Sequence, residues 1–257
     1  RAGQNNPGRP SVQRGLDIGE DALKTLAPAM EWERPCLVME PSKYPEAAFL
    51  AAVTASATHE VRNVLAIIKE SAGLVDDLTQ VYSTRGNLDP DKVQRALERI
   101  EVQVRRGADL LTHLNRLAHT LDQDISTVEL GQEVEQLVFM SQRFARQKGQ
   151  GVEIEKGREE QHAVVNALQL HMALHSAMAC CLEELPEGRS LKVGVGEVEG
   201  APMVEFRGVD EETPSDPVHT WTGWPELERL TGSLGARVDR SPTGYGIRIL
   251  FSREPRG

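Results

Sequence analysis

The stretch Ala55–Ser71, ASATHEVRNVLAIIKES, decides how the first half of the chain is read. Its apolar residues belong to a longer series: Leu50, Val53, Ala57, Val61, Val64, Ile68, Val75 and Leu78 recur at spacings of three, four and seven. That is the period of one helix face. It predicts a helix from Pro45 to Tyr82, with Pro45 in the first turn, where a missing N–H costs nothing. In STRGNLDP, Gly86, Asn87 and Pro90 stop the pattern and restart it. A second stripe then runs through Val93, Leu97, Ile100, Val104, Leu111, Leu114 and Leu121. Two long helices joined by a short loop make an antiparallel hairpin. One hairpin cannot cover both its apolar faces, so two are expected to close into a four-helix bundle, most simply by homodimerisation.

Working outward, residues 1–44 read as a Gly- and Pro-rich tail, a short helix from Asp17 to Met30, and a connecting segment punctuated by Pro35 and Pro41. The hairpin is expected over 45–124, a hinge near 122–128, and a second domain over 128–257. In that domain Glu129 to Gln147 reads as a helix, GVEIEKG as a short strand, and Asn166 to Leu185 as a strongly apolar helix. SLKVGVGEV and PMVEFRG alternate as strands around an EGA turn. A polar loop from Val209 to Gly223 precedes a closing helix, strand, turn and strand. The expectation is an α+β chain whose second domain lays helices on one face of a largely antiparallel sheet.

Bulk composition excludes several functions. Of 257 residues, 39% are hydrophobic and 26% charged, which describes a globular protein in water. A formal charge of −10 argues against a nucleic-acid partner, which would need a concentrated basic face. Three cysteines, two of them adjacent at Cys180 and Cys181, give neither a disulfide framework nor metal-ligand spacing. That fits a reducing compartment, and a cytoplasmic location is expected. No apolar run reaches the length of a membrane span, and no signal peptide stands at the start.

His59 and Glu60 lie side by side in the first helix, and three readings of the pair compete. A zinc site of the H-E-x-x-H kind needs a second histidine four residues on, and position 63 is Asn. That reading fails. A second reading makes His59 a polar residue on a solvated face, since at ~100° per residue it points away from the stripe. A third makes it a phosphoryl carrier. A neutral imidazole nitrogen can attack phosphorus while an acceptor orients the other nitrogen and stabilises its developing charge. Glu60 can supply that carboxylate, and Asn63, one turn on, can orient a water or a phosphoryl oxygen.

THEVRNVLAIIKES resembles the histidine box of bacterial two-component sensor kinases, whose usual form is S-H-E-[LI]-[RK]-[NT]-P-L. The match covers His59, Glu60, Arg62, Asn63 and Leu65, and departs at Val64, where the family usually has proline. The resemblance continues into the second domain, whose order of elements is similar to the family's ATP-binding domain. It implies a GHKL/histidine-kinase-like α/β sandwich behind a dimeric four-helix bundle. It implies His59 as phosphoacceptor, Glu60 as the orienting group or general base, and Asn63 as the residue that positions water or the phosphoryl group. Arg62 and Lys69 would steer a phosphorylated acidic partner, or be ordinary solvated charges.

The nucleotide chemistry of that family departs more. Cys180 stands where the family has a magnesium-holding asparagine, and a thiol is a poor ligand for so hard a cation. Arg207 and Gly208 stand where an adenine-binding aspartate and its glycine loop should follow. The later phosphate-cradling loop is missing from HTWTGWPEL. GVGEVEG, at Gly194–Gly200, lacks the Lys-Ser/Thr of a P-loop and reads better as a strand. The two adjacent cysteines read as buried apolar residues.

These observations lead to an expected phosphorelay protein that takes a phosphoryl group on His59 and exchanges it with the aspartate of a response-regulator receiver domain. The chain is expected to bind neither ATP nor a metal, with magnesium belonging to the receiver. A homodimer through the hairpin is the expected assembly. Two alternatives remain at this point: a divergent ATP-dependent kinase, and a non-enzymatic adaptor that docks regulators.

Overall fold

The computed structural model describes residues 43–85, 89–155, 157, 160–208, 221, 223–241 and 245–252. The expected tail and short helix, most of the loop from Val209 to Gly223, and the turn at 242–244 lie outside them.

Helix α1 spans Pro45–Arg85 and α2 spans Pro90–His119. Asp89 starts α2: its carboxylate accepts the Lys92 backbone N–H at 3.2 Å, and Pro90 follows in the first turn. That N–H holds the Asp89 carboxyl below its usual range. Against each other the helices bury Ala57, Val64 and Ser71 of α1 and Ala96, Leu110 and Leu117 of α2. Val93, Ile100, Gln103, Gly107 and Leu114 sit half-buried on the same face of α2. The alternating spacing of three and four from Val93 to Leu117 is a heptad seam.

The second stripe expected from sequence is thereby partly corrected. Leu97, Val104, Leu111 and Leu121 are exposed. Helix α2 carries two adjacent apolar columns, and the one containing Ala96 and Gly107 faces α1. Small side chains allow the closer approach: a Cβ at Gly107 would lie 3.3 Å from a Val64 methyl.

Beyond the hairpin, β1 (Ser126–Glu129) runs into α3 (Leu130–Gln147), β2 (Gly151–Glu155), β3 (His162–Val165) and α4 (Ala167–Glu184). Then follow β4 (Ser190–Val198), β5 (Ala201–Gly208), α5 (Trp224–Ser233), β6 (Ala236–Arg240) and β7 (Gly246–Phe251). Five strands form one sheet in the order β2-β4-β5-β7-β6. All its pairs are antiparallel except β2–β4, which β3 and α4 connect as a crossover. Strands β1 and β3 pair antiparallel by themselves, Ser126 opposite Val165 and Glu129 opposite His162. Sequence reasoning assigned neither, because four residues carry too little periodicity to register.

Alternation places Leu191 and Val193 of β4, Val204 and Phe206 of β5, and Ile247 and Ile249 of β7 on the inner face, all fully buried. Register lines up Val193 with Phe206, and Phe206 with Ile247. Leu130, Val134 and Val138 of α3, Leu227 and Leu230 of α5, and nearly every side chain of α4 close that core. Helix α4 is apolar all round because it is enclosed all round. Gly246 sits at φ 153° with the Phe206 carbonyl where a Cβ would be, so only glycine fits there.

Candidate functional site

Two helical facts place the residues of the histidine box. Ala57 and Val64 mark the buried column of α1, seven residues apart. His59 lies about 200° around the helix from Ala57 and is exposed, whereas Glu60 lies about 60° short of a full turn and flanks the seam. Asn63, Arg62 and Lys69 are all exposed. His59 makes no side-chain hydrogen bond or ion pair among the described residues.

Glu60 therefore stands elsewhere than the sequence reading has it. Neighbouring residues on a helix do not face each other, and the Glu60 carboxylate turns to α2, where the Arg106 guanidinium donates to it. It is 13% exposed. Its other oxygen accepts Nδ2 of Asn63 at 3.4 Å. The structure thus joins Glu60, Asn63 and Arg106 in one set and leaves the imidazole of His59 free to a partner. Arg106 was not anticipated. It comes from the other helix, 46 positions away, and nothing in its local sequence marks it.

A second polar cluster holds the hairpin to the sheet domain. Arg116 of α2 donates to Glu133 of α3, and Nε2 of His171, on α4, lies 2.7 Å from the other Glu133 oxygen. Burial alone would raise the Glu133 pKa, but hydrogen bonding and charge from His171 and Arg116 outweigh it and hold the carboxyl below its usual range. One turn along α4, His175 packs edge-on against Phe49 of α1 (5.6 Å) and Phe144 of α3 (6.4 Å). Burial, and then the neighbouring His171, lower its pKa to about 4, so it is neutral at neutral pH. Burial and Arg116 also lower the pKa of His113, which stacks on Phe139 at 4.1 Å. A signal for this cluster does exist in the sequence: Glu133 interrupts the apolar face Leu130, Val134, Leu137, Val138 of α3.

In the sheet domain Cys180 and Cys181 are both buried, and burial raises the Cys181 pKa well above its usual value. The Cys180 side chain, placed by α4 in the core, is 0% exposed. Arg207 bridges to Glu155 at 2.5 and 2.6 Å, passing over Gly194 of the intervening strand. Among the described residues no group of three His, Cys, Asp or Glu side chains is placed to hold a metal, and no helix is long and apolar enough to cross a membrane.

No protein-family model matches the chain, and no curated protein matches it either. Solved structures with a similar arrangement are histidine kinases. The cytoplasmic segment of histidine kinase QseC aligns with a TM-score of 0.41 at 16% identity, over 59% of this chain and 94% of that one. The Acinetobacter baumannii histidine kinase AdeS gives 0.41 at 15%, over 77% and 98%. Histidine kinase ThkA, solved in complex with the response regulator protein TrrA, gives 0.41 at 15%, over 85% and 69%.

Proposed function

We propose that this chain is a two-component phosphorelay protein that carries a phosphoryl group on His59 and exchanges it with the aspartate of a receiver domain. The observation that supports this reading most is the placement of His59: exposed, without a side-chain partner among the described residues, midway along a helix that presents Asn63 one turn away. The nitrogen lone pair attacks the phosphorus of an aspartyl phosphate, the N–P bond forms as the P–O bond to the aspartate breaks, and the carboxylate leaves. A second receiver aspartate reverses the step. Magnesium, required by the charge on the phosphoryl oxygens, is carried by the receiver. Asn63 positions a phosphoryl oxygen or a water, and Arg62 and Lys69 meet the partner's acidic surface.

ATP plays no part in this proposal, because Cys180 is a soft ligand sealed in the core. The exposed apolar column of α2 supports assembly of the hairpin with a second copy of itself. Incubation with a radiolabelled phospho-receiver tests the central claim. The wild type acquires label and His59→Ala does not; equal labelling of the two would sink it. Calorimetry with Mg²⁺ and ATP tests the second claim, and micromolar binding would turn the chain into a divergent kinase.

A further inference from the structure

The chain carries a formal charge of −10, yet one cleft collects guanidinium groups. It lies between α3 and the turn of α1 that bears His59, and Arg106, Arg143 and Arg146 line it with Ser56 and Glu60. Glu60 is the one carboxylate among the lining residues, and it engages Arg106. Among the described residues Arg146 donates only to neutral acceptors of its own helix, the Gln142 carbonyl at 3.3 Å and the Gln142 Oε1 at 3.5 Å. Arg143 has no hydrogen bond or ion pair among the described residues, although it is half-buried. Ala57, Leu110, Phe139 and Met140 make the floor apolar, which strengthens any charge pairing above it. A half-buried guanidinium left unpaired beside two others is costly unless something anionic visits.

We propose that this cleft is an oxyanion site that takes a phosphate-sized group. The cavity of ≈ 30 Å³ has room for about two or three water-sized occupants, enough for a tetrahedral oxyanion held at its mouth. Guanidinium forks match phosphoryl oxygens in pairs. An anion there competes with Glu60 for Arg106. This binding does not depend on His59 being the phosphoryl carrier.

Calorimetric titration of the full chain with inorganic phosphate, at low and constant ionic strength, tests the site. Binding is expected with a dissociation constant on the order of 1 mM. Arg143→Ala weakens it about tenfold, and Arg143→Lys, which keeps the charge but loses the fork, falls between. Glu60→Gln tightens binding, because it removes the carboxylate that lines the cleft, whereas Arg237→Ala on the far sheet edge leaves it unchanged. Circular dichroism confirms that each variant keeps its helices. No phosphate-dependent heat, an Arg143→Ala variant that binds like the wild type, or weaker binding by Glu60→Gln each overturns the proposal. A parallel titration with phenyl phosphate identifies the source: equal affinity assigns a phosphomonoester group, and loss of binding assigns the free anion. His59→Ala keeps phosphate binding, so a failure of label transfer and a failure of this site are read separately.

Discussion

The hairpin and the sheet domain solve the same burial problem to different degrees. Helix α4 sinks into the sheet domain so completely that His171 through Leu182 are all buried. Helix α2 leaves Leu97, Val104 and Leu111, seven residues apart on one column, 48%, 54% and 61% exposed. Leu74 and Val81 do the same on α1. The core of the sheet domain is closed among the described residues, with Cys180 fully buried inside it. A hairpin that stays half-covered has both: an apolar column to assemble with and a polar face, with His59 on it, to present. Under the proposed function, the contrast gives assembly and chemistry to the helices and makes the sheet domain a support for them.

The contrast breaks most readily at the open column. Val104→Glu combined with Leu111→Glu places charge where a second hairpin is expected to pack, and in a symmetric dimer each change acts twice. The dimer is expected to weaken by about a thousandfold or more, while the monomer's own seam is untouched. Sedimentation equilibrium measures this. A variant that assembles as the wild type does would remove the open column from the contrast.

Closure of the sheet domain is probed by Phe206→Ala. That ring is fully buried between Val193 and Ile247 of the flanking strands. Its loss is expected to cost about 3–5 kcal/mol, seen as an earlier denaturant midpoint for the sheet domain. A loss under about 1 kcal/mol would mean that the core is looser than its burial indicates.

His175 tests the junction. Folded, its imidazole titrates at about 4 instead of 6.5. Above pH 6.5 both folded and unfolded forms are neutral and stability is complete. Between 6.5 and 4 the unfolded chain binds a proton that the folded chain refuses, so stability falls as pH falls, by about 3 kcal/mol over that window. His113, lowered for the same reason, adds to the slope. Glu133 is lowered as a carboxylate, so its contribution is lost only further down, as pH falls below the ordinary carboxylate range. Urea midpoints at pH 7 and pH 4.5 should converge for His175→Phe, which keeps the contacts to Phe49 and Phe144. An unchanged slope in that variant would place the titration elsewhere.

What the sequence made legible follows the same division. Long helices announce themselves through period, and α1, α2, α3 and α4 were all visible within a few residues of their ends. Strands β4, β5 and β7 were visible through alternation and flanking turns. The inward column of α2 was not, because two apolar columns one residue apart look alike in sequence, and only the small side chains of Ala96 and Gly107 choose between them. Within the site, the exposure of His59 and Asn63 followed from helical phase. The same phase argument, carried one residue further, places Glu60 toward α2 rather than beside the imidazole. Arg106 and Arg143 escaped notice because each is an ordinary charged residue in its own segment and acquires meaning only from what lies across the cleft.

The smallest expected effect concerns the thread between the two regions. Asn166 caps α4, its Oδ1 accepting the Gln169 N–H at 2.9 Å, while its Nδ2 donates to the Asp124 carbonyl at 2.8 Å. One side chain thereby starts the central helix of the closed domain and fastens the segment leading out of the open hairpin. Asn166→Ala loses both and is expected to cost about 1 kcal/mol. Asn166→Asp keeps the cap acceptor and loses the donor, so it separates the two roles. If the cap matters more, Asp restores the denaturant midpoint and leaves only faster hydrogen exchange around residues 122–125. If the tie to Asp124 matters more, Asp is as damaging as Ala, and the support that the sheet domain gives the hairpin runs through this contact as well as through Glu133.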